Sequence, residues 1–142
     1  MSIRTVTHLN FQGNARAALA FYQQLFGGQQ MLVSYAQAGR AQEAIDPEHV
    51  LWGQVTDGDG NALLMAYDVQ AGVEWQPGQR AFFVSLRSDD VNTTRALWTG
   101  LADGGEVLQA LAPSQWSPLY GMVQDRFGVT WVVDVQAPGL PA

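Results

Sequence analysis

Polar and apolar residues alternate through "TVTHLNF" (residues 5–11), the period of a strand with one face turned to a core. The alternation then gives way to a helical period. Ala15, Ala18, Leu19, Tyr22, Leu25 and Phe26 form one apolar stripe at i, i+3, i+4, i+7 spacing, with Gln23 and Gln24 on the water side. Asn14 stands where an N-cap side chain would accept an early helical N–H, and Gly27 where a left-handed residue would end the helix. After Gly28, "MLVSYA" reads as a strand and "AGRAQEAIDPE" as a polar connection. "HVLWGQV" and "NALLMAYD" flank the turn-forming "TDGDG" as a hairpin. The first half of the chain therefore reads βαβββ.

The second half repeats the plan. "RAFFVSLRS" (80–88) predicts a strand and Asp89 or Asp90 a cap. Val91, Thr94, Leu97, Trp98 and Leu101 make the stripe of a helix ending at Gly104-Gly105. "LWGQVTDGDG" from Leu51 and "LYGMVQDRFG" from Leu119 share the pattern L-(W/Y)-G-x-V-x-D-x-x-G at a constant offset of 68 residues. Leucine, aromatic, glycine, valine and aspartate agreeing at fixed spacing mark an internal repeat. "EWQPGQ" (74–79), where Pro and Gly interrupt the periodicity, is the expected linker between a first module at about 1–73 and a second at about 79–136 of one domain, 1–142. One helix covers only one face of each sheet, so the other face needs a partner or a ligand. The expected fold is α+β: two βαβββ modules forming a curved, mostly antiparallel barrel-like sheet, with the helices packed outside.

The 142 residues are 47% hydrophobic and 14% charged, enough apolar material for a core. Seven Lys+Arg against 13 Asp+Glu give a formal charge of −6, which repels phosphate backbones and anionic membranes; neither nucleic acid nor membrane is an expected partner. Cysteine is absent, which removes thiolate chemistry and leaves His8 and His49 as the imidazoles. No apolar run approaches ~18 residues and "MSIRTVTHLN" lacks the features of a signal peptide, so the expected location is cytoplasmic.

"LNFQGNARAALAFYQQLFGG", "LLMAYD" and "YGMVQDRFGVTW" together resemble the PhnB-like branch of the vicinal oxygen chelate superfamily, which also holds glyoxalase I, bleomycin-resistance proteins and extradiol dioxygenases. The most specific matches are Gly13-Asn14 followed by Phe21-Tyr22 and Phe26-Gly27, and Asp125-x-Phe127-Gly128-x-x-Trp131. The resemblance implies paired βαβββ modules, a homodimer, and cavities between modules or chains. In the superfamily it also implies a divalent metal held by His or Glu from the first and fourth strand of each module. Aligned on the repeat, those positions fall at Thr7 or His8, Leu64, Phe82 or Phe83, and Val132, with Leu64 and Val132 again 68 apart. Of these only His8 can bind a metal, and one imidazole cannot offset dehydration of a divalent ion. The expectation is no metal site and no cofactor. PhnB-like relatives often carry a third-strand His near the position of Trp52, and this chain departs from that as well.

His8, on a strand with one face to the cavity, is a candidate for ligand binding or proton transfer; the structural alternative is a half-buried strand histidine with a backbone partner. His49, beside Asp46 and Glu48, reads as part of a solvated loop. Trp52 and Tyr120 are repeat mates and, with Trp116, could line a pocket or sit in a core; Trp98 and Trp131 read as core. Gln54, Met65, Tyr67 and Met122 would add adaptable walls if they face inward. A ubiquinone-methyltransferase name is attached to PhnB-like chains, but Gly13-Asn14 is not a Gly-rich cofactor turn and Gly27-Gly28 ends a helix, so methyl transfer is not expected. The leading expectation is a metal-free protein binding a small aromatic or amphipathic organic ligand, including drug sequestration. Against it stand a metal-dependent isomerase, lyase or dioxygenase using His8 with Asp134 or Tyr120, and a non-catalytic dimerising module.

Overall fold

The computed structural model describes residues 2–136 and divides into two compact units, Met1–Pro77 and Gly78–Ala142. The first unit runs β1 (His8–Phe11), α1 (Ala15–Phe26), β2 (Gln29–Ser34), a short 3-10 turn at Ala41–Glu43, β3 (Val50–Thr56) and β4 (Ala62–Asp68). Its sheet has the order β1-β4-β3-β2, with β1 and β4 parallel and the other neighbours antiparallel. The second unit runs β5 (Val84–Ser88), α2 (Val91–Ala102), β6 (Glu106–Ala112), β7 (Tyr120–Gln124) and β8 (Thr130–Val135), in the order β5-β8-β7-β6, with β5 and β8 parallel. The chain is thus α+β, with two mixed four-stranded sheets, each an open βαβββ unit. Among the described residues no helix is long and apolar enough to cross a membrane.

Each helix covers one face of its own sheet. Ala15, Ala18, Leu19 and Tyr22 of α1 are buried on β2, β3 and β4, where Val55, Leu64 and Ala66 are buried in turn. In the second unit Thr94 and Leu101 of α2 are buried with Leu86, Val123, Trp131 and Val133, whereas Val91 is exposed. The repeat's glycines lie where a helix side chain packs directly onto the strand backbone. A Cβ at Gly53 would meet Leu19 Cδ1 at 2.4 Å, and one at Gly121 would meet the Trp98 ring at 2.9 Å. The repeat's aspartates close the hairpins: Asp57 accepts the N–H groups of Asp59 and Asn61, and Asp125 those of Phe127 and Val129. The Asn61 and Asp59 amides hold the Asp57 carboxyl below the usual carboxylate range.

The two helix starts differ from expectation in an instructive way. Asp90 caps α2 as predicted, accepting Thr93 N–H at 2.7 Å. Asn14 precedes α1 but makes no side-chain cap bond. The oxygen comes from the far end of the unit instead: Asp68 Oδ1 accepts the N–H groups of Gly13 at 2.7 Å and Ala15 at 3.0 Å, and Oδ2 accepts Val50 N–H at 2.9 Å. A carboxylate serves better than an amide here because one charged group accepts from three backbone donors, two of them buried.

The repeat is not in constant register. In the first unit Val55 pairs Leu64 but Thr56 pairs Ala62, leaving Leu63 as an extra residue in a β-bulge; β7 and β8 pair without such a shift. Gly53 pairs Ala66 and Gly121 pairs Val133, so mates beyond the bulge are 67 residues apart instead of 68.

Candidate functional site

Because side chains alternate along a strand, the bulge decides which residues share the sheet face turned away from α1. Leu64 falls on the helix face and is 2% exposed. Its expected role as the fourth-strand metal position is therefore corrected: the residue matching Val132 is Met65, which pairs His8 as Val132 pairs Ser85. The first-module residue moved by one position while Val132 did not, since only β4 carries the bulge. Phe82 and Phe83 are corrected too. Both precede β5, Phe82 is 91% exposed, and Arg80 turns the chain with φ 57°, so the strand is shorter than its apolar run suggests.

On the first unit, the face away from α1 carries two cross-strand rows. One is His8, Met65, Gln54 and Met31, joined by consecutive register pairs; the other places Asn10 beside Tyr67 and Trp52 beside Val33. The sequence candidates His8, Trp52, Gln54, Met65 and Tyr67 all lie here, half-buried except for the exposed His8. His8 packs edge-on against Tyr67, ring centroids 5.3 Å apart, and its Nδ1 is 2.8 Å from Asn10 Oδ1. Tyr35, just after β2, is buried, its hydroxyl donating to the Asp68 carbonyl at 2.7 Å; burial, with Tyr67 and Asp68 nearby, pushes its phenol above the usual range.

The remaining candidates belong to the second unit. Tyr120 pairs Asp134, which pairs Arg87; Met122 pairs Gln109 and Val132, and Val132 pairs Ser85. Arg87 holds Asp134 through two contacts of 3.2 Å, which raise the guanidinium above its ordinary value. Trp116 lies outside the strands, 52% exposed and edge-on to Tyr120 at 5.1 Å. A shallow depression of about 420 Å³ between α2 and β6, lined by Arg95, Trp98, Thr99, Val107, Ala110 and Leu111, includes none of the candidates. Trp131 is buried as expected, its Nε1 donating to Asp125 Oδ2 at 2.9 Å.

The residues present do not fit the divalent ion of vicinal oxygen chelate enzymes. One imidazole, a thioether and an amide on the first sheet, with a hydroxyl and a valine at the matching positions of the second, are not the nitrogen and oxygen set such an ion needs. Among the described residues no three His, Cys, Asp or Glu side chains gather to hold one. His49 stays apart from any cluster; its ring packs over Gly13, with Nδ1 buried and unpartnered.

Asn10, Asp68, Tyr35 and Trp75 escaped sequence reasoning. Asn10 had a legible signal, lying two residues from His8 on the same strand face. Trp75 was assigned to the linker, yet its Nε1 donates to the Asn10 carbonyl at 2.9 Å, along β1 at the sheet edge.

Two βαβββ units, each with a helix on one face and a mixed aromatic and polar face opposite, define the glyoxalase and bleomycin-resistance fold. A glyoxylase/bleomycin resistance protein/dioxygenase domain from Frankia sp. EAN1pec shares it at TM-score 0.63, with 10% identity over 96% of this chain and 99% of that one. Within that class, residues 3–134 match the family model described as 3-demethylubiquinone-9 3-methyltransferase, and the chain belongs to this PhnB-like family. Protein PA1353 from Pseudomonas aeruginosa is 31% identical, at TM-score 0.82 over 95% of this chain and 98% of that one. A putative 3-demethylubiquinone-9 3-methyltransferase, PhnB protein, from Bacillus cereus is 23% identical, at TM-score 0.71 over 94% and 99%.

The family's description implies a methyl donor, and the strand-to-helix turn does not fit one of the nucleotide-cradling kind. The Gly13 and Ala15 amides at the start of α1, which would face such a ligand, are taken by Asp68 Oδ1.

Proposed function

We propose that this protein binds a small aromatic or amphipathic organic molecule on the β1-β4-β3-β2 face turned away from α1, without a metal ion, and sequesters it instead of transforming it. The observation that carries the reading is the composition of that face. Trp52, Tyr67, Met65, Met31 and Val33 supply flat and adaptable apolar surface, while His8, Asn10 and Gln54 supply a few polar groups for orientation. The formal charge of −6 favours cationic ligands, and bleomycin-type antibiotics are cationic. The working form we propose is a homodimer.

Titration with bleomycin A2, followed by tryptophan fluorescence and thermal shift in the presence of EDTA, tests the drug-sequestering form. Micromolar or tighter binding that weakens at least tenfold in Trp52→Ala is expected. No binding at low salt would end that form. Stoichiometric Ni, Zn, Fe or Mn in the purified protein, removable only by a chelator, would overturn the metal-free reading in favour of a metal-dependent isomerase, lyase or dioxygenase.

A further inference from the structure

His8 and Asn10 together narrow the chemistry of the ligand. They are two residues apart on β1, so both side chains leave the same face, and His8 Nδ1 lies 2.8 Å from Asn10 Oδ1. The contact fits a ring protonated at Nδ1, which would donate to the carboxamide oxygen and leave Nε2 as the accepting nitrogen. The ring is restrained on a second side by Tyr67, edge-on at 5.3 Å. Asn10 is itself tied down, its backbone carbonyl accepting Trp75 Nε1–H and its β1 position paired with Tyr67. Tyr67 does not satisfy Nε2, because its hydroxyl is directed to Gln70 Oε1 at 3.5 Å. Nε2 has no hydrogen-bond partner among the described residues, and it stands in a row whose next members are Met65 and Gln54.

An oriented acceptor beside aromatic and thioether surface calls for a planar ring bearing a good hydrogen-bond donor. We infer that the site selects hydroxyaromatic ligands, with the ligand ring lying on the Met65, Tyr67 and Trp52 surface and its phenolic O–H donating to His8 Nε2. Asn10 is then a positioning residue: it sets the tautomer and touches no ligand atom. A metal-ligating imidazole would instead spend Nε2 on the ion, so this assignment rests on the metal-free binding reading above and specifies its ligand class.

The experiment compares 2-naphthol with 2-methoxynaphthalene, which differ at the oxygen by a donor hydrogen against a methyl group, by fluorescence titration of the full chain. The wild-type protein should prefer 2-naphthol by up to about tenfold, the net scale of one hydrogen bond. In His8→Phe the ratio should fall to about one. In Asn10→Ala it should fall partway, and an unchanged ratio would overturn the positioning role of Asn10. Long-range ¹H–¹⁵N spectra of the free wild-type protein read the tautomer without any ligand: a pyrrole-like Nδ1 and pyridine-like Nε2 are expected, and the reverse would overturn the inference. Equal binding of both naphthalenes by the wild-type protein would overturn it too while leaving the aromatic-ligand reading standing. Failure of both compounds to bind would remove that reading and this one together.

Discussion

Replacing Asp68 by asparagine keeps the size of the side chain and removes one charge and one acceptor. The carboxylate is 1% exposed and takes three backbone N–H groups, from Gly13, Ala15 and Val50, at 2.7, 3.0 and 2.9 Å. With the amide oxygen turned to Gly13 and Ala15, the new NH₂ faces Val50 N–H, donor against donor. Losing that charge-assisted bond costs ~2 kcal/mol, and weakening the other two to neutral bonds costs ~1 kcal/mol each. Relief from burying a charge offsets part of this, for a net loss of about 3 kcal/mol. Urea unfolding followed by circular dichroism should show that loss with an unchanged m value, together with a Tm lowered by roughly 9 °C. Amide hydrogen exchange should quicken most at Val50. A loss below about 1 kcal/mol would refute the claim that Asp68 stands in for the missing Asn14 cap.

The glycine pair after α1 separates backbone strain from close approach. Gly27, at φ 75° and ψ −161°, occupies a region almost confined to glycine, so Gly27→Ala, which meets nothing within 4 Å, should cost only the backbone strain of roughly 1–3 kcal/mol, whereas a Cβ at Gly28 would also lie 1.9 Å from the Thr56 carbonyl oxygen and should cost clearly more by urea unfolding. The β4 bulge makes neighbouring substitutions behave oppositely: Leu64→Glu buries an unpaired carboxylate and should destabilise by ~3 kcal/mol or more, while Met65→Glu should be tolerated; equal effects would refute the β3–β4 register. Asp90 is held below the ordinary carboxylate range by its Thr93 bonds, so its contribution is present above pH ~4 and fades as pH falls through the lowered native value. Asp90→Ser should therefore flatten the acid limb of the stability curve. Tyr35 has the opposite sign: raised by burial, it stabilises the fold fully below pH ~10 and less as pH climbs through its native value, so Tyr35→Phe should remove alkaline sensitivity at a cost to stability near neutrality.

Helix and strand identity were legible because hydrophobic periodicity records which side of an element meets a core. The stripe Ala15, Ala18, Leu19 and Tyr22 is buried as read, and the L-(W/Y)-G-x-V-x-D-x-x-G repeat does mark two hairpins of one design. What escaped were the edges. Thr5 to Thr7 and Arg80 to Phe83 have strand-like composition but lie outside β1 and β5. An edge segment becomes strand only where a neighbour accepts its hydrogen bonds, and the chain pattern alone does not show where that neighbour stops.

For the candidate site, the residue types were readable and their alignment was not. Amino-acid chemistry alone already limited the site to one strand imidazole among aromatic and thioether side chains, with no set of ligands for a divalent ion at the positions where relatives would carry one. Which residues share a face depended on Leu63, a single extra residue whose bulge shifts the repeat from an offset of 68 to 67 and moves Leu64 into the core and Met65 beside His8. The pairings of Asp68 with Gly13, Ala15 and Val50, and of Trp75 with Asn10, join positions far apart in the chain. Local pattern determines what an element is, because the 3.6 and 2.0 periods are properties of the backbone. Register and long-range hydrogen bonding are settled only when the elements pack, because there each buried donor must find whichever acceptor the fold brings within reach.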